Sequence, residues 1–306
     1  MTPTPTGDRP RGTIGKLFHV TPLVDSIGDA EYFFNSVFSP LCMIRNYSPH
    51  WHRHGAVYVI ADTSIEPMEC LPPRDGEPAT SWYRYVEKYG PRVHNLAFYT
   101  SDGAELAARL EAAGVRTTDA GAGGTVFAHP KDTPGMLEFF EVPAEPGYWV
   151  DPRFSPEWPA FRDDFWAGRH PLGVVRLSHI TVVVHDRTEA ARFFVDVLDA
   201  VPLPEQASRV DDADATFVLV GEDTVLELAQ PRSDACPIAR DLEVVGQGVT
   251  GITFQVRDIE RALAYLEPRQ SPVARRDVHE LTFDLARTWG TEYRLTDRVL
   301  DGDLRG

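Results

Sequence analysis

The sequence predicts an α+β fold made of four βαβββ modules in two tandem domains. Three observations carry this reading. A β-branched or aromatic strand running into an amphipathic helix recurs four times along the 306 residues. At each strand–helix junction stands an Asp (Asp25, Asp102, Asp186, Asp258), a residue type that accepts hydrogen bonds from the free N–H groups of a first helical turn. Each module then closes in a short apolar strand that holds a glutamate.

The first module opens with Phe18-His19-Val20-Thr21-Pro22-Leu23-Val24, and its helix carries Ala30, Phe33, Phe34 and Val37 at helical period. Its closing strand is Met68-Glu69-Cys70. The second opens with Val93-His94-Asn95-Leu96-Ala97-Phe98 and has a helix from Asp102 to Ala113. Room for a short strand near Val115, a strand at Thr125 to Ala128 and a last strand from Met136 to Glu141 complete it. The third runs from Ser178-His179-Ile180 to Leu226-Glu227-Leu228. The fourth has Gly251 where the others suggest a histidine, and closes with Thr291-Glu292-Tyr293.

These elements divide the chain into a disordered tail (residues 1–13), an N-terminal domain (14–148), a linker (149–173) and a C-terminal domain (174–306). The linker is Pro-rich yet carries Phe154, Trp158, Phe161, Phe165 and Trp166, too many large aromatics for a free tether, so packing against both halves is expected.

A net charge of −16 argues against nucleic acid and anionic membranes as partners. No apolar run approaches the ~18 residues of a spanning helix. Cys42, Cys70 and Cys236 have no metal-finger or disulfide-framework spacing, which suits a reducing cytoplasm. A small molecule is the expected partner, and the chain is expected to be a monomer or homodimer.

The pattern resembles the vicinal oxygen chelate superfamily (glyoxalase I, methylmalonyl-CoA epimerase, type I extradiol dioxygenases and bleomycin-resistance proteins) from about Lys16 to Asp297. The strongest local likeness is to the epimerase branch, in His94-Asn-Leu-Ala-Phe and Phe127-Ala-His129-Pro130-Lys131-Asp132. The resemblance implies a divalent ion (Zn, Fe(II), Mn, Co or Ni) held by His19, Glu69, His94 and Glu138, with Glu141 in reserve for Glu138. It also implies a C-terminal half that has lost its metal site and serves as scaffold, although His179, Glu227 and Glu292 persist there.

The activity implied is that of a metal-dependent epimerase or isomerase moving a proton next to a carbonyl, Glu138 or Glu69 acting as the base. The substrate would be a hydroxyketone of cyclitol (valiolone) type or an acyl thioester. The alternatives are an Fe(II) extradiol ring-cleaving dioxygenase and a non-catalytic binding protein of the resistance type. Arg45, His52 and Lys131 are the substrate-binding candidates. His50, His52 and His54 alternate before a strand, which reads as a solvated loop or a substrate wall, with a second metal site as the other possibility.

Overall fold

The computed structural model describes residues 13–119, 124–141, 151–269 and 271–305. The proposed tail, all but Thr13, and the Gly121–Gly123 stretch lie outside them. In the N-terminal half the elements are β1 (Ile14–Val24), α1 (Ile27–Phe38), β2 (Leu41–Ser48), β3 (Arg53–Ile60), β4 (Thr63–Ile65), β5 (Met68–Cys70), α2 (Ser81–Tyr89), β6 (Arg92–Thr100), α3 (Gly103–Ala112), β7 (Thr117–Asp119), β8 (Thr125–Ala128) and β9 (Met136–Glu141). After α4 (Trp158–Arg162) the pattern repeats as β10 (Val174–Val183), α5 (Arg187–Leu198), β11 (Val201–Pro202), β12 (Ala213–Val220), β13 (Thr224–Pro231), α6 (Ala239–Val244), β14 (Gly248–Val256), α7 (Ile259–Leu266), β15 (Val273–Arg276), β16 (Glu280–Phe283) and β17 (Glu292–Thr296).

Each half forms one sheet. Its order is β2-β3-β4-β1-β6-β9-β8-β7 in the first and β11-β12-β13-β10-β14-β17-β16-β15 in the second, so each pair of modules joins through its opening strands. Those strands run antiparallel: β1 on β6, and β10 on β14. The closing strand of each module lies parallel to its opening strand, which brings the two ends of a module side by side.

The helix caps repeat with the modules. Ser26, Asp102, Asp186 and Asp258 each accept a hydrogen bond from the first turn of the helix that follows. In the first module the cap is therefore Ser26, one residue beyond the expected Asp25. The helices α1 and α5 both run 12 residues and end on a left-handed residue, Ser39 and Asp199.

The two halves share one core. Phe33 of α1 meets Phe283 and Tyr293 of the second sheet at ring-centroid distances of 5.7 Å each. The aromatic linker bridges both halves as expected. Trp158 Nε1 donates to Ala61 O and Trp166 Nε1 to Phe38 O, both at 3.1 Å, while Arg261 of α7 donates to His170 O.

A further repeat follows the last strand of each half. Asp151-Pro152-Arg153 and Asp303-Leu304-Arg305 both fold back so that the Asp pairs with the Arg. Arg153 donates to the carbonyls of Leu17, Phe18 and Asp62, and Arg305 to those of Leu177, Ser178 and Asp223. A guanidinium can satisfy several carbonyls at once, so each half has the start of its first strand fixed from below.

Candidate active site

The strand register defines equivalent positions in the four modules. On the first sheet His19 lies opposite Ala97, and Thr21 opposite Asn95. Ala97 lies opposite Glu138, and Glu66 follows the paired Ile65, with its N–H donating to Val20 O at 2.8 Å. Residues paired across a sheet share a face, as do residues two apart on one strand. His19, Glu66, Asn95 and Glu138 therefore project from the same face.

His19, Asn95 and Glu138 are buried, at 4%, 4% and 7% exposure. His19 Nε2 lies 3.3 Å from Glu66 Oε2, and Glu66 Oε1 accepts from Arg53 at 3.1 Å. Asn95 Nδ2 donates to Glu138 Oε2 at 2.8 Å. Phe18, Tyr99 and Phe140 pack together beside His19 as an apolar wall. Burial pushes the Glu138 carboxyl up to about 8, with the negative charge of Glu66 adding to the effect. Burial lowers His19 despite Glu66, which keeps the imidazole neutral near pH 7.

Two of the four expected metal ligands are directed elsewhere. Glu69 Oε2 accepts from Ile27 N at 3.1 Å, so its carboxylate serves the positive end of α1. His94 is the extra residue of a β-bulge, because Thr21 pairs with Asn95 and the next residue, Pro22, with Val93. Its ring packs edge-on against Tyr85 of α2 at 4.8 Å, and burial pushes it down to about 4. Its tie to the cluster runs through Asn95, whose Oδ1 lies 3.1 Å from His94 Nδ1. Glu141, the reserve residue, is exposed at the end of β9.

Of the substrate-binding candidates, Arg45 pairs with Glu31 of α1 at the surface. His52 sits in the turn before β3 with φ of +47°, its ring 6.2 Å from Tyr47. His54 also packs on Tyr47, and His50 on Trp51, so the three histidines do not form a centre. The inward residue of that run is Arg53, with its guanidinium over the Trp82 ring at 5.0 Å. Lys131 lines a cavity of about 470 Å³ between the halves, together with His94, Tyr85, Arg92 and His185.

Sequence reading thus missed Glu66, Asn95 and Arg53. A signal for Asn95 was present. His19, His179 and Gly251 each stand seven residues before their helix caps Ser26, Asp186 and Asp258, and seven before Asp102 is Asn95, not His94. Among the described residues no three His, Cys, Asp or Glu side chains stand close enough together to enclose a metal ion.

The same register gives the C-terminal set: His179, Glu227, Gly251 and Arg294, because Thr253 pairs with both His179 and Arg294. A cation occupies the position of Glu138. Glu227 is fully buried and accepts from Thr181 Oγ1, Ser208 Oγ and Arg209 N.

A family model described as a glyoxalase-like domain matches residues 19–198, and one described as the glyoxalase/bleomycin resistance protein/dioxygenase superfamily matches residues 178–284. The chain belongs to the vicinal oxygen chelate superfamily.

Solved members of similar shape include a variant of 4-hydroxymandelate synthase from Streptomyces coelicolor, at 17% identity and a TM-score of 0.66 over 94% of each chain. The Mn(II)-bound glyoxalase from Novosphingobium aromaticivorans aligns at 13% identity and a TM-score of 0.57, over 96% of this chain and 86% of its own. Methylmalonyl-CoA epimerase from Mycobacterium tuberculosis aligns at 23% identity over 42% of this chain and 88% of its own, with a TM-score of 0.36. At such identities the likeness is one of fold. No curated protein matches the chain. No helix among the described residues is long and apolar enough to cross a membrane.

Proposed function

We propose that the N-terminal half is a proton-transfer site acting next to a carbonyl, an epimerase or isomerase of the superfamily, with Glu138 as the catalytic base. The observation that carries this is a buried carboxyl pushed up to about 8 and steadied by Asn95. A base works best when its pKa lies near the working pH. With Glu138 off the ion, Asn95 holds one of its carboxylate oxygens, as in the structure, which leaves the other to take the proton from the carbon and return it. Arg53, paired with Glu66, balances negative charge as the substrate's oxygen becomes enolate-like. A substrate with an acidic C–H beside a carbonyl, a cyclic hydroxyketone or an acyl thioester, fits this chemistry.

The residue types fit a divalent ion. One imidazole, two carboxylates and an amide oxygen suit a borderline or hard cation. His19 Nε2 and Glu66 Oε2 are 3.3 Å apart, close to the spacing of two donors that each sit about 2 Å from one ion. The negative charge of Glu66 adds to the cost of ionising Glu138, a cost that a cation relieves. His19, Glu66 and Glu138 would hold the ion once Glu138 turns from Asn95, with the Asn95 amide oxygen as a fourth donor. When bound, the ion supplies Lewis-acid stabilisation of the developing enolate charge.

One observation favours a second reading, ring cleavage by an Fe(II) dioxygenase. With Glu69 engaged at α1, only His19, Glu66 and Glu138 would hold the ion strongly, which would leave room for both a chelating substrate and O₂. Such enzymes use two His and one carboxylate, whereas this cluster has one His and two carboxylates, so proton transfer is preferred.

The test is incubation of protein with divalent metal and candidate ketones or thioesters in D₂O, followed by NMR of the α-proton, beside O₂ uptake with catechols. Exchange that is lost in Glu138→Gln is expected. Uptake of O₂ without exchange on any α-acidic substrate overturns the proposal.

A further inference from the structure

The C-terminal half contains a cavity of about 360 Å³, lined among others by Ser178, His179, Arg209, Arg275, Arg298 and Leu300. It reaches His179, which corresponds to His19 of the first half, and its lining residues Ser208 and Arg209 bond to Glu227. Its chemistry is inverted. Arg294 stands where Glu138 stands in the first half, and Glu227 has its oxygens taken by three donors. A cation site needs free acceptors, and here both oxygens of the central carboxylate are engaged while a guanidinium replaces the second carboxylate.

What the cavity does offer is donors. The Arg298 side chain is exposed and has no ion pair or hydrogen-bond acceptor among the described residues. Among the described residues the Arg209 guanidinium hydrogen-bonds only the neutral Gln206, at 3.5 Å. Arg275, by contrast, is held by Asp211 and Glu280. At the base, His179 is 1% exposed and its Nε2 makes no hydrogen bond, lying 3.5 Å from Glu227, while Nδ1 is engaged by Ser178 Oγ at 3.1 Å. A buried polar atom without a partner is costly, and a ligand oxygen that accepts from it removes the cost. Two guanidiniums at one cavity without carboxylate partners among the described residues stand out in a chain of net charge −16.

We infer that the C-terminal cavity is a second ligand site, specific for a small molecule bearing an anionic oxygen group, which Arg209 and Arg298 engage while its body reaches His179. The half expected to be scaffold is then a binding module, derived from a metal-type site by exchanging an acid for Arg294. Carboxylate and phosphate groups share this recognition chemistry.

The experiment is calorimetric titration of the full chain with inorganic phosphate and, separately, malonate, against chloride at matched ionic strength. Saturable binding of at least one of them, at one site per chain, is expected. Preference for phosphate points to a phosphorylated ligand, preference for malonate to a carboxylate. Arg298→Gln, at an exposed position, should weaken binding about tenfold or more, the scale of one charge-assisted hydrogen bond. Arg209→Gln should do likewise, and neither should alter metal uptake by the first half. Absence of saturable binding by both anions overturns the inference. So does equal binding by the variants, or a second metal ion per chain that is lost in His179→Ala.

Discussion

Asp62 and Asp223 each hold the opposite half of the molecule. Asp62 Oδ1 accepts from the backbone N–H of Leu177 at 2.6 Å, and Asp223 Oδ1 from that of Leu17 at 2.9 Å. Leu17 and Leu177 each stand two residues before the strand histidine, His19 or His179. The two halves are thus latched by a reciprocal exchange at the start of their opening strands.

This latch makes stability depend on pH in a direction unusual for carboxylates. Burial pushes Asp223 up to about 6, and Asp62 is raised for the same reason. The folded state then binds a proton that the unfolded chain has already released above about pH 4. By linkage, the contribution of Asp223 to stability falls as pH rises from about 4 to about 6 and levels off above, where Glu138 continues the decline toward about pH 8. Urea unfolding across that range should show the decline from this group, and Asp223→Asn should flatten it. A wild-type slope unchanged in the variant would refute the assignment.

Arg153 is buried with Asp151 beneath the first sheet. Removing one member of a buried pair strands the other, at a cost of about 3–5 kcal/mol. Arg153→Ala should therefore lower unfolding free energy on that scale, and the double variant with Asp151→Ala should lose much less than twice as much. Denaturant midpoints at constant m-value measure it.

Metal binding should release a proton. Near pH 7 Glu138 is mostly protonated in the free protein, whereas His19 is already neutral. A divalent ion needs both deprotonated. Addition of Zn or Mn in weak buffer at pH 7 should therefore release close to one proton per chain, and far less at pH 9 or in Glu138→Gln. Equal release at both pH values contradicts the role of Glu138 as a ligand.

The register distinguishes Asn95 from His94 as the residue on the face of His19 and Glu138, the proposed ligand position. Asn95→His, which puts an imidazole there, should raise metal affinity about tenfold or more. His94→Ala should leave metal stoichiometry unchanged. Competition against a chromophoric chelator reads both. Loss of metal in His94→Ala with no gain in Asn95→His would reverse the assignment.

The repeat was legible because it is written in local physics. Strand-to-helix junctions need a cap, helices need an apolar stripe, and both recur in the four modules at Ser26, Asp102, Asp186 and Asp258. His19 and Glu138 were legible for the same reason, being polar residues inside apolar strands. Glu69 and His94 looked equally good, since each also lies in or beside an apolar run.

Tertiary structure decided against them through registry. Pro67 separates β4 from β5, so the face that Glu66 shares with His19 is not shown by alternation along Met68-Glu69-Cys70. A single bulge residue at His94 changes which neighbour joins the site, because side chains alternate faces with period two and one extra residue reverses the count. The sequence by itself determined the fourfold module and the two sheets, and it singled out His19 and Glu138 of the buried cluster. Which glutamate and which residue of the His94-Asn95 pair face the cluster, and that Arg294 inverts the second site, depended on strand pairing between modules far apart in the chain.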